Sequence, residues 1–147
     1  MPLKETLTID LKEAMKAKDK IRKNVVTLIR AAIKQREIDE RIELTDEDIL
    51  QIVAKQVKQR RESIVDFEKG DRPDLIDLTN QEIDILLCYL PEQLSEEELE
   101  SIVKLAIEET GATSRKDMGK IMANVMPKIK GRADGGQVNK IVANYLQ

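Results

Sequence analysis

Apolar residues recur three and four positions apart along nearly the whole chain, and no window alternates with the two-residue period of a strand. The pattern predicts helices throughout. The first covers Leu3 to about Lys18, with Leu7, Leu11, Ala14 and Met15 on one face and Asp19 as a break. A longer helix follows to about Ile42, through Val25, Leu28, Ile29, Ala32 and Ile33. At ~1.5 Å per residue it runs more than ~30 Å. Thr45, followed by Asp46, Glu47 and Asp48, suits an N-cap. Its oxygen can accept from an unpaired backbone N–H, and the acids face the positive end of the helix dipole. The third helix carries Ile49, Val53, Val57, Ile64 and Phe67 inward and ends at Gly70. Arg60 and Arg61 interrupt its apolar side, where stems can cover the core edge while heads reach water. Pro73 opens a fourth helix that uses Leu75, Leu78, Leu86 and Leu90. Leu90 precedes Pro91, and a residue before proline avoids helical angles, so this helix is expected to stop there.

A second helical unit begins after Pro91-Glu92-Gln93-Leu94. Ser95 and Glu98 form an S-x-x-E capping box, with Leu99, Ile102, Val103, Ala106 and Ile107 as the stripe behind it and Gly111 as the stop. Ser114 is expected to cap a sixth helix, with Asp117 at its third position and Met118, Ile121, Met122 and Val125 facing the core. Gly119 inside it reads as a point of close helix packing. Pro127 limits that helix near its end. The last helix runs from about Gly136 to Leu146 and buries Val138, Ile141, Val142 and Tyr145. The predicted fold is therefore all-α, with an antiparallel four-helix bundle over residues 1–91 and a small three-helix unit over 92–147.

Charge changes this picture more than composition does. Hydrophobic residues are 41 % of the 147 and charged residues 36 %, enough for a core under heavily charged faces. The net charge of −3 conceals a split. Residues 111–147 hold seven Lys/Arg and two Asp/Glu, a net of +5, whereas residues 1–110 hold 18 and 26, a net of −8. A basic end on an acidic chain points to a localised anionic partner.

That basic end contains Met126-Pro127-Lys128-Ile129-Lys130-Gly131-Arg132-Ala133-Asp134-Gly135-Gly136-Gln137-Val138-Asn139-Lys140. Lys128, Lys130 and Arg132 bring three cations into five positions. Asp134 and Gln137 have the spacing of a capping box that opens the last helix. Backbone N–H groups at a helix start, with Gly135 and Gly136 allowing close approach, suit an anion. With one Phe, two Tyr and no Trp, stacking on splayed bases is not the expected mode of recognition. Shape and phosphate contacts are.

No catalytic, metal or cofactor site is predicted. There is no His, which removes the commonest base near neutral pH and a versatile metal ligand. Of four serines, Ser95 and Ser114 are accounted for as caps, and Ser63 and Ser101 lie in no G-x-S-x-G elbow. Neither a P-loop nor a G-x-G-x-x-G is present. The single Cys88 allows no internal disulfide and, within an apolar run, is expected to be buried and inert. The start, Met1-Pro2-Leu3-Lys4-Glu5, lacks the basic-then-apolar build of a signal peptide. The longest apolar run, Ile85 to Leu90, falls short of the ~20 residues that span a bilayer. A cytosolic setting without membrane contact is the resulting expectation.

Tyr89-Leu90-Pro91-Glu92-Gln93-Leu94-Ser95-Glu96-Glu97-Glu98-Leu99, then Gly111-Ala112, Asp117-Met118-Gly119-Lys120, Val125-Met126-Pro127-Lys128 and Lys130-Gly131-Arg132-Ala133-Asp134-Gly135, resemble the GatB/YqeY family over nearly the whole length. Its members are free-standing small proteins or the C-terminal tail of the B subunit of the tRNA-dependent amidotransferase. This chain is similar to the free-standing kind. The resemblance implies an all-helical protein that holds the outer corner of tRNA, with the amide-forming chemistry lodged in other subunits. It implies Lys120, Lys128, Lys130, Gly131, Arg132, Gly135 and Gly136 as contacts, to which Asn139 and Lys140 of the same corner are added. Thr79 and Ile83 depart from the Glu and Leu of relatives, which suggests a partner surface of the bundle's own. Three readings follow: a module for tRNA or another structured RNA, an adaptor that docks on a protein, and an accessory to amidotransferase subunits.

Overall fold

A computed structural model describes residues 1–146. Among them are α1 (Leu3–Lys16), α2 (Lys20–Glu40), α3 (Asp46–Lys69), α4 (Pro73–Leu87), α5 (Glu96–Thr110), a 3-10 turn (Arg115–Asp117), α6 (Met118–Ile129) and α7 (Gly135–Tyr145). The protein is all-helical, as its periodicity predicts. It divides into two compact units, one ending at Leu90 and one beginning at Pro91.

In the first unit, Leu7, Val25, Val26, Ile29, Ile49, Val53, Val57, Ile83 and Leu86 form one buried cluster. Caps decide where its helices start. Asp19, read as a break, is the N-cap of α2 and accepts from the Arg22 N–H at 3.1 Å. Thr45 and Asp48 form a reciprocal capping box at α3. Helix ends come earlier than the apolar pattern implies. Lys18 and Arg41 take left-handed backbone angles just past α1 and α2. α4 ends at Leu87, and the next three N–H groups bond back three residues, to Ile85, Leu86 and Leu87. The chain thus leaves the helix before the constraint of Pro91 acts.

Three expectations for this unit change. Leu78 is 40 % exposed, and Thr79, Ile83 and Leu86 are the buried face of α4. Thr79 and Ile83 are therefore packing positions; the Thr79 hydroxyl donates to the Leu75 carbonyl at 2.6 Å. Cys88 is exposed, because the helix has already ended at Leu87, and its thiol lies 3.3 Å from the Asp84 carbonyl. The Arg60 side chain is only 14 % exposed, with Nε 3.6 Å from a Glu82 carboxylate oxygen. That nitrogen is buried and makes no hydrogen bond.

The second unit has its own core: Leu99, Val103, Ala106, Ile121, Val125, Ile129, Val138 and Val142. Ser95 and Glu98 form the predicted capping box, and Gly111 closes α5 with φ +67°. Ser114 caps the 3-10 turn instead of α6, and Asp117 accepts from the Thr113 N–H at 3.0 Å. Pro127 does not end α6, which continues to Ile129. Met118 and Met122 pack against the core as half-buried side chains. Tyr145, expected inside, is 40 % exposed and donates its hydroxyl to Glu100.

Candidate nucleic-acid interface

The basic corner is held by backbone bonds. α6 stops at Ile129, whose carbonyl accepts from Arg132 N–H at 2.7 Å and Ala133 N–H at 3.2 Å. Between them Gly131 has φ +76°, a left-handed angle that disfavours any Cβ. The segment before α5 laces onto this turn. The Gln93 amide donates to the Gly131 carbonyl at 2.8 Å, the Leu94 N–H to the Arg132 carbonyl at 3.0 Å, and Arg132 Nε to the Glu92 carbonyl at 3.1 Å. Arg132 therefore braces the turn as well as carrying charge. Glu92, Gln93 and Leu94 are structural neighbours of the turn that periodicity does not reveal, since their bonds are made to residues some forty positions away.

At α7 the predicted capping box is present. Asp134 accepts from the Gln137 N–H at 2.9 Å, and the Gln137 side chain accepts from the Asp134 N–H at 3.0 Å. The helix start thus already holds a carboxylate, which competes with any external anion for the same positive field. The N–H groups of Gly135 and Gly136 make no hydrogen bond among the described residues. Gly136 is exposed, and a Cβ on Gly135 would meet only the tip of Met122 at 3.3 Å.

The cations divide into separate groups. Lys120, Asn124 and Lys128 share one face of α6 at four-residue spacing. Lys128 is not an unattached charge: Nζ lies 3.5 Å from Glu109 and donates to Asn124 Oδ1 at 3.1 Å. Asn124 Nδ2 in turn donates to Glu109 at 3.0 Å. The Asn124 amide first, and the Lys128 charge next, hold the Glu109 carboxyl below the usual carboxylate range. The i, i+4 pairing of Asn124 with Lys128 is legible in the sequence; the Glu109 partner is not. Lys130 is exposed at the end of α6. Asn139 and Lys140 are exposed on α7, and Lys140 lines a hollow shared with Glu96 and Glu100 of α5. Gly119 is exposed, and a Cβ added there would meet nothing within 4 Å, so helix packing does not account for it.

No group of three or more acidic or cysteine side chains is placed to hold a metal ion among the described residues. No helix there is long and apolar enough to cross a membrane.

The sequence profile of the Yqey-like protein family matches residues 4–146. A protein of Pyrenophora tritici-repentis named "Altered inheritance of mitochondria protein 41, mitochondrial" is 34 % identical over 145 residues, 95 % of this chain and 78 % of that one. Proteins of the same name from Kluyveromyces lactis and Lachancea thermotolerans are 42 % and 40 % identical over 81 and 82 residues. Those matches cover 54 % and 55 % of this chain, and 44 % of each of those proteins. The names state no catalytic activity. They overturn the cytosolic expectation, because the relatives are named as mitochondrial. Short apolar runs speak only to helical membrane spans and do not bear on entry into an organelle.

Proposed function

The chain belongs to the YqeY-like family, and from that premise we propose that it is a non-catalytic RNA-binding module for tRNA. Its C-terminal unit would grip the phosphate backbone of the folded RNA. The observation that carries this reading is the braced corner, where a cation-bearing turn is tied by Gln93, Leu94 and Arg132 beside two unoccupied N–H groups. Lys120, Lys128 and Lys130 would meet phosphates electrostatically, Lys128 on release from Glu109, while Gly135 and Gly136 offer N–H donors at the opening of α7. Backbone contacts of this kind fix position and read shape, which suits a folded RNA corner. The relatives' names suggest a mitochondrial setting.

Electrophoretic mobility shift with bulk tRNA tests the reading. Neutralising about four phosphates gives a slope of log K against log salt of roughly −3 to −4. Lys128→Glu with Lys130→Glu is expected to weaken binding about tenfold or more and to flatten that slope. Salt-independent binding, or binding that survives the double reversal, contradicts it. Glu109→Gln is the opposite probe. It removes the carboxylate that holds Lys128 and is expected to tighten tRNA binding about two- to fivefold at low salt. The same release occurs on acidification. Because the folded Glu109 is more acidic than the unfolded one, its interaction with Lys128 and Asn124 is present above the ordinary carboxylate value. It is lost as pH falls through the depressed folded value, so the Gln variant is expected to show a flatter binding profile below pH ~5.

A narrower form of the reading makes the chain an accessory to a glutamine-dependent tRNA amidotransferase. A partner must then supply the amide-forming chemistry. Amide formation from glutamine and charged tRNA by the purified chain alone would contradict the non-catalytic reading.

A further inference from the structure

We propose that the seam between α1 and α2 is a docking groove for an acidic amphipathic helix of a partner protein. The assignment does not rest on the RNA reading. It starts from a second charge split, inside the N-terminal unit. Residues 1–40, which take in α1 and α2, hold ten Lys/Arg and seven Asp/Glu, a net of +3, whereas residues 41–110 hold eight and 19, a net of −11. The acidity of the first 110 residues therefore conceals a cationic helical hairpin.

Two hollows lie on that hairpin. One, of about 510 Å³, is lined by Lys4, Leu7 and Thr8 of α1 and by Arg30, Ala31 and Lys34, among others, of α2. The other, of about 270 Å³, is lined by Ala14, Met15, Lys18, Lys20 and Lys23, with Asp19. Lys20, Lys23, Thr27, Arg30 and Lys34 are three and four apart, so both hollows use one stripe of α2. Lys4, Thr8 and Met15 likewise share a stripe of α1. The hollows are thus two stations of one seam, and Lys20 to Lys34 spans about 21 Å at 1.5 Å per residue.

Its rails are cationic and largely unpartnered. Lys18, Lys20, Lys23, Arg30 and Lys34 make no ion pair or side-chain hydrogen bond among the described residues. The neighbouring cations are different: Arg22 reaches Asp10, and Lys4 reaches Glu37 at 2.6 Å. The Lys4 pairing neutralises the carboxylate at that end of the larger hollow. Of the apolar lining, Leu7, Ala14 and Ile33 are almost wholly buried, and the accessible apolar surface comes from Ala31 and from Met15 at 56 % exposure. Apolar floor, cationic rails and a length of about four helical turns match a helix that lays apolar anchors inward and carboxylates outward. A phosphate backbone has no apolar anchor for such a floor, and a bilayer surface does not follow a concave seam.

Fluorescence anisotropy with the full chain tests this. The probe is a labelled peptide of about twenty residues with Leu at three-and-four spacing and Glu elsewhere; the control has the same composition with its stripe scrambled. The ordered peptide is expected to bind about fivefold or more tighter than the control. Arg30→Glu with Lys34→Glu is expected to weaken it about tenfold or more, and Ala31→Trp, which fills the floor at constant charge, about fivefold. These three positions are exposed, and circular dichroism checks that the helices persist. Lys128→Glu with Lys130→Glu is expected to leave peptide binding unchanged. Equal binding of the two peptides, indifference to the Arg30 and Lys34 reversals, or no saturable binding below about 1 mM overturns the assignment. So does tRNA or an anionic vesicle that displaces the ordered peptide and loses its own binding in the Arg30 and Lys34 variant.

Discussion

Ile129→Ala is expected to lower the unfolding free energy of the C-terminal unit by about 2–5 kcal/mol, the largest single-residue loss at the candidate interface. Ile129 is fully buried, and it is the last residue of α6. Truncation removes the transfer energy of its side chain and leaves a cavity between helices that are too short to collapse over it. The unit is small, so little reserve offsets the loss. At roughly 4–8 °C per kcal/mol, the midpoint of its thermal transition should fall by about 10 °C or more. The effect reaches the interface through the backbone, since the Ile129 carbonyl anchors both Arg132 and Ala133. tRNA binding should therefore decline together with stability. Urea denaturation followed by circular dichroism reads the first quantity and the mobility shift the second. A loss below about 1 kcal/mol would mean that the buried cluster around Leu99, Val125 and Val138 does not depend on this anchor.

Helix starts are legible where a cap is written locally, and less so at α6, whose start Ser114 does not mark. Thr45 with Asp48, Ser95 with Glu98 and Asp134 with Gln137 satisfy orphan N–H groups within one turn, and all three capping boxes form. Helix ends are less legible, for two reasons. Lys18 and Arg41 adopt left-handed angles without being glycine, so no residue type marks the stop. Pro127 sits within the last turn of α6 without ending it, so a nominal breaker overstates its effect. Burial errors trace to the same source. Local hydrophobicity places Leu78 and Cys88 inside, whereas exposure depends on which stripe of α4 meets its neighbours and on where that helix ends.

The candidate interface is half legible. Its residue types and spacing lie in one short stretch, but what each charge does is decided from outside it. Lys128 is held by Glu109 of α5, Arg132 by the Glu92 carbonyl, and Lys140 shares a hollow with Glu96 and Glu100. Summing charge over a window counts these cations as equals. The structure grades them, and a window over the first 110 residues likewise hides the opposite charges of the α1–α2 hairpin and the helices that follow it. Net charge locates a partner-binding surface only when the window matches a folding element.

Gly131→Val is the second substitution expected to act strongly, at about 2–3 kcal/mol, against about 1–2 kcal/mol for Gly131→Ala. The φ of +76° puts any Cβ against backbone, and the Pro91 ring stands 3.6 Å from that Cβ, leaving little space for the branched methyls. To relieve the strain the turn must rotate the Gly131 and Arg132 carbonyls away from Gln93 and Leu94. That unlaces the corner and should weaken tRNA binding beyond the loss of folded protein. Gly135→Ala separates the two effects. Its φ is ordinary and its added methyl meets only the flexible tip of Met122, so stability is expected to hold or rise by up to about 1 kcal/mol. The N–H is kept, so tRNA binding is expected to persist if phosphate approaches that donor with room for one methyl. Binding retained in Gly131→Val, measured under conditions where the variant is folded, would show that the braced turn does not organise the contact and would move the interface to the Lys120–Lys128 face of α6.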